Sequence, residues 1–315
     1  MSPQTPPSNT RSGETPTMTP VKTGTLPVPG ATLHHETRGT GPLLLLIPGG
    51  SADAAIFGGL ATHLADRYTV LTYDPRGFSR SPLHGPVGDQ RVQTHSDDAH
   101  LLLDALLPPG QTAHVFGTSS GAFVALDLLT RHPDRLGTVI AHEPPAVEIL
   151  PDAAQHRAMF AHVRQTYREQ GTAAAMAALT AGLAPEGQAE PEIPPDAGLP
   201  AQRDAMLARM HANLPVFLEH ILCQFTAYTP DLPTLRSRAH QLVLAVGQDS
   251  RNELPHHTAA SLAHHLGTEP VEFPGGHIGI AEHPVPFADR LGETLETTDT
   301  TTPDDHHRTG QPANG

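Results

Sequence analysis

The chain has 315 residues, and its 33 acidic and 19 basic side chains give a formal net charge of −14 at pH 7. This length is enough for one large domain with a substantial buried core. The negative charge argues against a protein that binds nucleic acid or an anionic membrane surface, since both require a positively charged face. A single cysteine, Cys223, excludes an intramolecular disulfide.

The two ends of the chain differ in composition from its middle. Residues 1–27 are rich in Pro, Thr, Ser and Gly, and residues 298–315 are polar and low in complexity. Such segments bury too little apolar surface to offset the entropy of ordering, so both are predicted to be disordered tails. No signal peptide and no apolar run of the roughly 20 residues that span a membrane is apparent, which favours a cytoplasmic protein. Nothing in the sequence indicates an oligomeric state.

The middle of the chain alternates between two kinds of pattern. Continuous apolar runs bounded by turns are typical of buried parallel strands. The runs are LLLLI (43–47), YTVLTY (68–73), HVFG (114–117), GTVIAH (137–142), LVLAVG (242–247) and EPVEF (269–273). Segments with apolar residues at helical spacing separate them. The alternation predicts an α/β fold, in which helices flank a mostly parallel sheet.

One interval interrupts this alternation. Between Pro145 and Arg238 no strand pattern is present, and alanine-rich and methionine-bearing segments with helical character take its place. The sequence therefore predicts a core made of residues 28–146 and 239–297, with a helical cap, residues 147–238, inserted into it. We call residues 147–238 the cap segment.

The segment HVFGTSSGAFVALDLL carries the strongest chemical signal. Gly117, Ser119 and Gly121 form a G-x-S-x-G pattern between an apolar strand and the start of a helix. In that setting the serine lies on a tight, strained turn, and the glycines allow the backbone to turn and the helix to pack closely. The helix N-terminus also directs free N–H groups toward an anion at this point. Ser119 is therefore the candidate nucleophile.

From about residue 28 to residue 297 the chain resembles the α/β-hydrolase family. LLLLIPGGSADAAIF is similar to the loop that follows the third strand of the family and donates to the oxyanion, with Pro48 where many members have histidine. Proline has no N–H group to donate. The resemblance therefore implies an oxyanion hole made by the backbone amides of Gly50 and Ser120.

The resemblance also implies where the base and the acid of a catalytic triad lie. The family takes its base from the loop after the last strand, and EFPGGHIGIAEHP places His277 there. Asp249, at the end of the preceding strand, is the preferred acid because that strand-end position is the commoner arrangement in the family, and it gives the expected chain order serine, acid, histidine. Glu143 in IAHEPP is the alternative, since some members draw their carboxylate from that earlier strand. Either side chain could orient the imidazole.

Metal and nucleotide sites are not indicated. The adjacent histidine pairs lack the spaced partners that complete a coordination shell; these pairs are His256–His257, His264–His265 and His306–His307. No glycine-rich phosphate loop or dinucleotide fingerprint follows a strand. We therefore expect chemistry that requires neither a metal nor a cofactor.

Together these features predict a serine hydrolase that cleaves a small, largely apolar ester or lactone through an acyl-enzyme on Ser119. Large apolar side chains of the cap segment could form the wall of its pocket; they are Met159, Phe160, Met176, Met206, Met210, Phe217 and Phe225. Two alternatives remain open, because one fold hosts many activities. The first is a hydrolase that cleaves carbon–carbon bonds or acts on one specialised metabolite, and the second is a ligand-binding protein without turnover.

Overall fold

A computed structural model describes residues 20–184 and 200–301. Within these residues a single sheet has the strand order β1-β2-β4-β3-β5-β6-β7-β8. Its strands are β1 (Lys22–Val28), β2 (Ala31–Arg38), β3 (Leu43–Ile47), β4 (Thr69–Tyr73), β5 (Ala113–Thr118), β6 (Leu136–His142), β7 (Leu242–Gly247) and β8 (Val271–Phe273). Strands β3 to β8 pair in parallel, whereas β1 and β2 are antiparallel. The predicted α/β architecture is confirmed.

The first two strands were not predicted. Residues 22–27 fall within the segment predicted to be a disordered tail, yet they belong to β1, whose pairing with β2 runs from Lys22 opposite Thr37 to Val28 opposite Ala31. β1 lies at the edge of the sheet, and Val28 is its one buried residue. Because an edge strand needs few apolar side chains, the composition of β1 resembles that of a polar tail. At the other end the last helix continues to Thr301, past the predicted boundary at 297. Residues 1–19 and 302–315 of the predicted tails lie outside the described residues.

Helices cover both faces of the sheet. They are α1 (Gly58–Leu64), α2 (Val92–Leu106), α3 (Ser120–Arg131), α4 (Ala153–Gln170), α5 (Thr172–Leu183), α6 (Pro200–Val216), α7 (Leu222–Thr226), α8 (Leu232–Ser237), α9 (Leu254–Leu266), α10 (Gly279–Glu282) and α11 (Pro284–Thr301). Helices α1 and α11 share one apolar cluster with the sheet, and α2, α3 and α9 share the other. None of the helices in the described ranges is long and apolar enough to cross a membrane.

Helices α4 to α8 lie in the chain between β6 and β7, and they belong to the cap segment. Pro215 near the end of α6 cannot donate a backbone hydrogen bond, and a π turn at Phe217–Ile221 connects α6 to α7. The carboxyl ends of the parallel strands lie at the same edge of the sheet, where ligands bind in open α/β folds. The segments that follow β5, β6 and β8 therefore converge beneath these helices.

Candidate active site

Ser119 occupies the tight turn between β5 and α3. Its backbone has φ 54° and ψ −123°, a conformation that residues with a side chain rarely adopt. The flanking glycines are required by close packing, because a Cβ on Gly117 would lie 2.3 Å from the carbonyl oxygen of Gly121. A Cβ on Gly121 would in turn lie 2.4 Å from the carbonyl oxygen of Ile47. The turn thus presents the half-buried Ser119 side chain above the sheet.

His277 lies in the loop after β8 and is bonded to a carboxylate. The distance from its Nδ1 to Oε2 of Glu143 is 2.6 Å. If Nδ1 donates to this carboxylate, Nε2 is left as the acceptor that a general base needs. His277 and Ser119 line the same cavity. Within the described residues no hydrogen bond joins them, and such bonds commonly form only when substrate binds.

Glu143 is held from several sides at the end of β6. Its side chain is completely buried, and Oε1 accepts hydrogen bonds from the Gly247 amide, at 2.8 Å, and from the Ser250 hydroxyl. Burial disfavours the carboxylate, but the hydrogen bond from His277, the charges of His142 and His277 and the bond from Ser250 outweigh it and lower the pKa of Glu143 to about 2. The carboxylate is therefore charged at neutral pH.

The same contacts act on the imidazole in the opposite direction. Burial disfavours the charged imidazolium, yet the hydrogen bond and the charge of Glu143 raise the pKa of His277, with smaller contributions from Glu253 and Glu282. Glu143 would consequently stabilise an imidazolium formed on His277 during a reaction.

Asp249, the acid preferred from the sequence, does not contact His277. Its side chain is exposed, and its backbone amide donates to the carbonyl oxygen of Gly275 at 3.1 Å. In the described part of the chain its carboxylate accepts no hydrogen bond from His277, whose Nδ1 is already bonded to Glu143. The geometry thus corrects the preference for Asp249 in favour of Glu143. The available signal was a charged residue directly after a buried strand, in IAHEPP.

Ser250 offers a test of how the carboxylate is oriented. Replacing Ser250 with alanine removes one donor to buried Glu143, so we expect kcat to fall about tenfold with little change in KM. Ser237, an exposed serine of α8 whose hydroxyl bonds only the local helix backbone, supplies the matched control. Turnover by Ser250→Ala and by Ser237→Ala, followed at equal protein concentration, checks this. Equal kcat values in the two variants would contradict a role for Ser250.

The two amides predicted for the oxyanion hole lie beside Ser119. Ser120 is the first residue of α3, so its amide has no partner within the helix. Gly50, at φ 57°, donates its amide to Oγ of Ser120 at 2.9 Å. The Gly50 amide is thus directed at the Ser120 hydroxyl, which accepts its hydrogen bond.

Ser119 opens into an apolar cavity of about 270 Å³. Its floor includes Gly49, Gly50 and Ser120, and most of its walls are aliphatic or aromatic. The walls contributed by the cap segment are Phe160, Met176, Leu179, Leu183, Met210, Leu214, Phe217, Leu222, Phe225 and Thr226. No aspartate, glutamate, lysine or arginine of the described chain lines it. The cavity is therefore suited to an uncharged, largely apolar ligand.

Comparison with known proteins assigns this architecture to a family. The family model described as the alpha/beta hydrolase fold matches residues 42–184. The chain is also 36% identical over 282 residues to the uncharacterized hydrolase YraK of Bacillus subtilis (strain 168). This match covers 88% of this chain and 97% of that protein. The chain belongs to the α/β-hydrolase family. It is accordingly a hydrolase.

Further relatives of this α/β hydrolase extend over most of its length. A zearalenone hydrolase from Bionectria ochroleuca is 26% identical over 272 residues, which cover 85% of this chain and 95% of that protein. A thermophilic esterase from Thermogutta terrifontis has a TM-score of 0.66 at 21% identity, and the match covers 88% of this chain and 99% of the esterase. An enol-lactonase from Burkholderia xenovorans LB400 has a TM-score of 0.61 at 19% identity, with coverage of 88% and 100%. These two structures show the shared fold.

Two of the predicted wall residues lie outside the cavity of the hydrolase. Met159 packs between cap helices, where a Cβ on Gly182 would lie 2.5 Å from its sulfur. Met206 is 5% exposed and borders a separate small cavity beside Pro284. Both methionines occupy helix faces that meet other helices, which apolar spacing alone does not distinguish from a face toward ligand.

The histidine pairs do not form a metal site in the described residues of the hydrolase. No group of three or more His, Cys, Asp or Glu side chains there could hold a metal ion. His306 and His307 lie outside the described residues.

Proposed function

We propose that this hydrolase cleaves a carboxylic ester or lactone of a small, uncharged and largely apolar substrate through an acyl-enzyme on Ser119. One observation carries the proposal. Ser119, strained on its turn, opens into the same apolar cavity as His277, whose Nδ1 is bonded to the buried carboxylate of Glu143. This combination of nucleophile, base and orienting acid serves acyl transfer.

The proposed reaction has two halves. Oγ of Ser119 attacks the carbonyl carbon while Nε2 of His277 takes the hydroxyl proton, and Glu143 stabilises the imidazolium. Collapse of the tetrahedral intermediate breaks the bond to the leaving alcohol, which receives that proton. Water then attacks the acyl-enzyme with His277 again as base, releasing the carboxylic acid and restoring Ser119. No further reactant is needed.

The oxyanion of each intermediate is stabilised by the amides of Ser120 and Gly50 in this proposal. The Ser120 hydroxyl, which accepts from the Gly50 amide at 2.9 Å, occupies the place of a substrate oxygen in the free enzyme. Rotation of the Ser120 side chain transfers that hydrogen bond to the substrate. The positive end of the α3 dipole acts in the same direction.

The lining of the cavity restricts the range of substrates more than the catalytic triad restricts it. An ester and a lactone present the same carbonyl to Ser119, so the proposal includes both. A charged acyl or alcohol group would lose its hydration in the cavity without an opposite charge to compensate for it. The proposed substrate is therefore neutral, and its apolar part contacts the cap segment.

Hydrolysis of p-nitrophenyl esters from acetate to decanoate, and of simple γ- and δ-lactones, tests the proposal. We expect turnover of the neutral esters, and at least about a tenfold lower kcat/KM for a hemisuccinate ester of the same length, because its carboxylate must be desolvated. A fluorophosphonate should label Ser119, as read by mass spectrometry of the peptide. An enzyme inert toward all esters and lactones, and unlabelled, would contradict the proposal and favour carbon–carbon cleavage or ligand binding without turnover.

A further inference from the structure

A set of polar contacts joins the cap segment to the loop that carries Gly50. Arg209 and Asn213 lie four residues apart on α6 and so share one helix face. The Nδ2 group of Asn213 donates to the carbonyl oxygen of Ser51 at 2.9 Å and to Oγ of Ser79 at 3.0 Å, and its Oδ1 accepts from the Ser79 amide at 2.9 Å. Asn213 is 4% exposed, and both ends of its amide are satisfied.

Arg209 reaches the same loop through Asp53. Its Nε donates to Oδ2 of Asp53 at 2.5 Å, and its Nη2 lies 3.5 Å from Oδ1. Asp53 is completely buried, accepts from the Ala55 amide at 2.9 Å and accepts from the Ser79 hydroxyl at 2.9 Å. The carboxylate therefore connects the cap helix to the backbone directly after the oxyanion loop. We call Arg209 and Asn213, with their three partners Ser51, Asp53 and Ser79, the cap latch.

The place where the latch meets the core gives it a role beyond packing. Asn213 bonds the carbonyl oxygen of Ser51, which belongs to the same peptide unit as the Ala52 amide, two residues after the proposed oxyanion donor Gly50. The loop is a tight turn, in which the Ala52 amide donates to the carbonyl oxygen of Gly49 at 3.1 Å. Gly49 in turn lies against Ser119, since a Cβ on Gly49 would be 2.7 Å from the Cβ of Ser119. A shift of this loop would move the Gly50 amide relative to the nucleophile.

Backbone strain marks the same contacts. The described residues contain three residues other than glycine with positive φ, namely Ser79, Ser119 and Glu143. Ser119 and Glu143 belong to the proposed triad, and Ser79 at φ 47° belongs to the latch, where its amide and hydroxyl both bond Asn213. Such conformations persist where surrounding contacts fix them, and they cluster at functional sites.

We infer that Asn213 and Arg209 are positioning residues that fix the Gly50 amide for the oxyanion and so couple the docking of the cap segment to catalysis. This inference rests on the proposed function. It predicts that loss of the latch weakens binding of the transition state more than binding of the substrate, because the misplaced group stabilises charge that develops only during the reaction.

The test uses p-nitrophenyl acetate, whose acyl group is too small to depend on the cap walls. Asn213→Ala should lower kcat by about 10- to 100-fold with KM changed less than about threefold, as for loss of part of an oxyanion hole. Asn213→Asp keeps the acceptor for Ser79 but loses the donor to Ser51, and it should show a similar loss. Arg209→Lys, which keeps the charge near Asp53, should retain more activity than Arg209→Ala.

Two further measurements separate positioning from general damage. The inhibition constant of a boronic acid that mimics the tetrahedral intermediate should rise in parallel with the loss of kcat, whereas that of the corresponding carboxamide should change little. Arg168→Ala removes an exposed ion pair of the cap segment, with Glu219, and should leave all these values unchanged. Far-UV circular dichroism and the melting temperature report whether each variant is folded.

The outcomes distinguish the two proposals. An active wild-type enzyme with an inactive Ser119→Ala variant, combined with folded Asn213→Ala and Asn213→Asp variants of unchanged kcat, overturns the latch and leaves the proposed function standing. If Asn213→Ala fails to fold, Asn213→Asp and Arg209→Ala decide in the same way, since both lose contacts of the latch. A wild-type enzyme without esterase or lactonase activity overturns the proposed function itself.

Discussion

Replacement of Ser119 with alanine should lower kcat for p-nitrophenyl butyrate by at least about 10⁴-fold, because no acyl-enzyme can form without Oγ. The oxyanion amides and the cavity remain in the variant, so any residual rate reflects binding and electrostatic stabilisation. KM should change little. Fluorophosphonate labelling of the active-site peptide should disappear with the activity, and mass spectrometry of both proteins checks this.

The backbone at Ser119 supplies a second readout for the same position. At φ 54° and ψ −123° a side chain is strained, and glycine relieves that strain. Ser119→Gly should therefore be as inactive as Ser119→Ala but more stable than it, by about 1 kcal/mol in denaturant unfolding. Higher stability at the expense of activity is the expected signature of a residue retained for chemistry. A Ser119→Ala variant that is folded and fully active would contradict the nucleophile assignment.

The tight turn that carries Ser119 could be predicted from the sequence because its constraints are local. Gly117 and Gly121 have carbonyl oxygens within 2.4 Å of where a Cβ would stand, and this close approach is what a G-x-S-x-G pattern between strand and helix encodes. The buried parallel strands were equally visible, since LLLLI at β3 is buried at every position. The edge hairpin was not, because β1 has a polar composition and its order comes from pairing with β2.

The parts that could not be predicted depend on distances between segments far apart in the chain. Asp249 and Glu143 both follow strands of the sheet and both lie between Ser119 and His277 in the chain, so the preference for Asp249 rested on the commoner strand-end position. The tertiary structure brings Glu143 to His277 across 134 residues of sequence. Arg209 and Asn213 look like the polar face of a cap helix, and their contacts with Asp53 and Ser51 arise only when α6 docks. Apolar spacing likewise could not separate Met176 and Met210, in the cavity wall, from Met159 and Met206, which lie outside it.

The second large effect is expected from substitution of the carboxylate that orients His277. Glu143→Gln should lower kcat by about 10³- to 10⁴-fold, whereas Asp249→Asn should stay within about threefold of wild type. A glutamine amide can donate to Nδ1 of His277, and this would favour the tautomer whose Nε2 carries a proton and cannot accept one from Ser119. Asp249 is exposed and does not bond the imidazole, so its amide variant is the matched control.

The pH dependence of kcat/KM should also differ between the two variants, in a direction that the pKa of His277 determines. A general base must be neutral, so kcat/KM of the wild type should rise as the pH increases through the pKa of His277, which Glu143 raises above its ordinary value. Glu143→Gln removes the carboxylate and leaves the effect of burial, which disfavours the imidazolium; the pKa of His277 should fall and the rise in kcat/KM should move to lower pH. In Asp249→Asn the rise in kcat/KM should occur at the same pH as in the wild type. A shift to lower pH in Asp249→Asn, together with an unmoved profile in Glu143→Gln, would assign the orienting carboxylate to Asp249, because only a charge that interacts with the imidazole can change where it titrates.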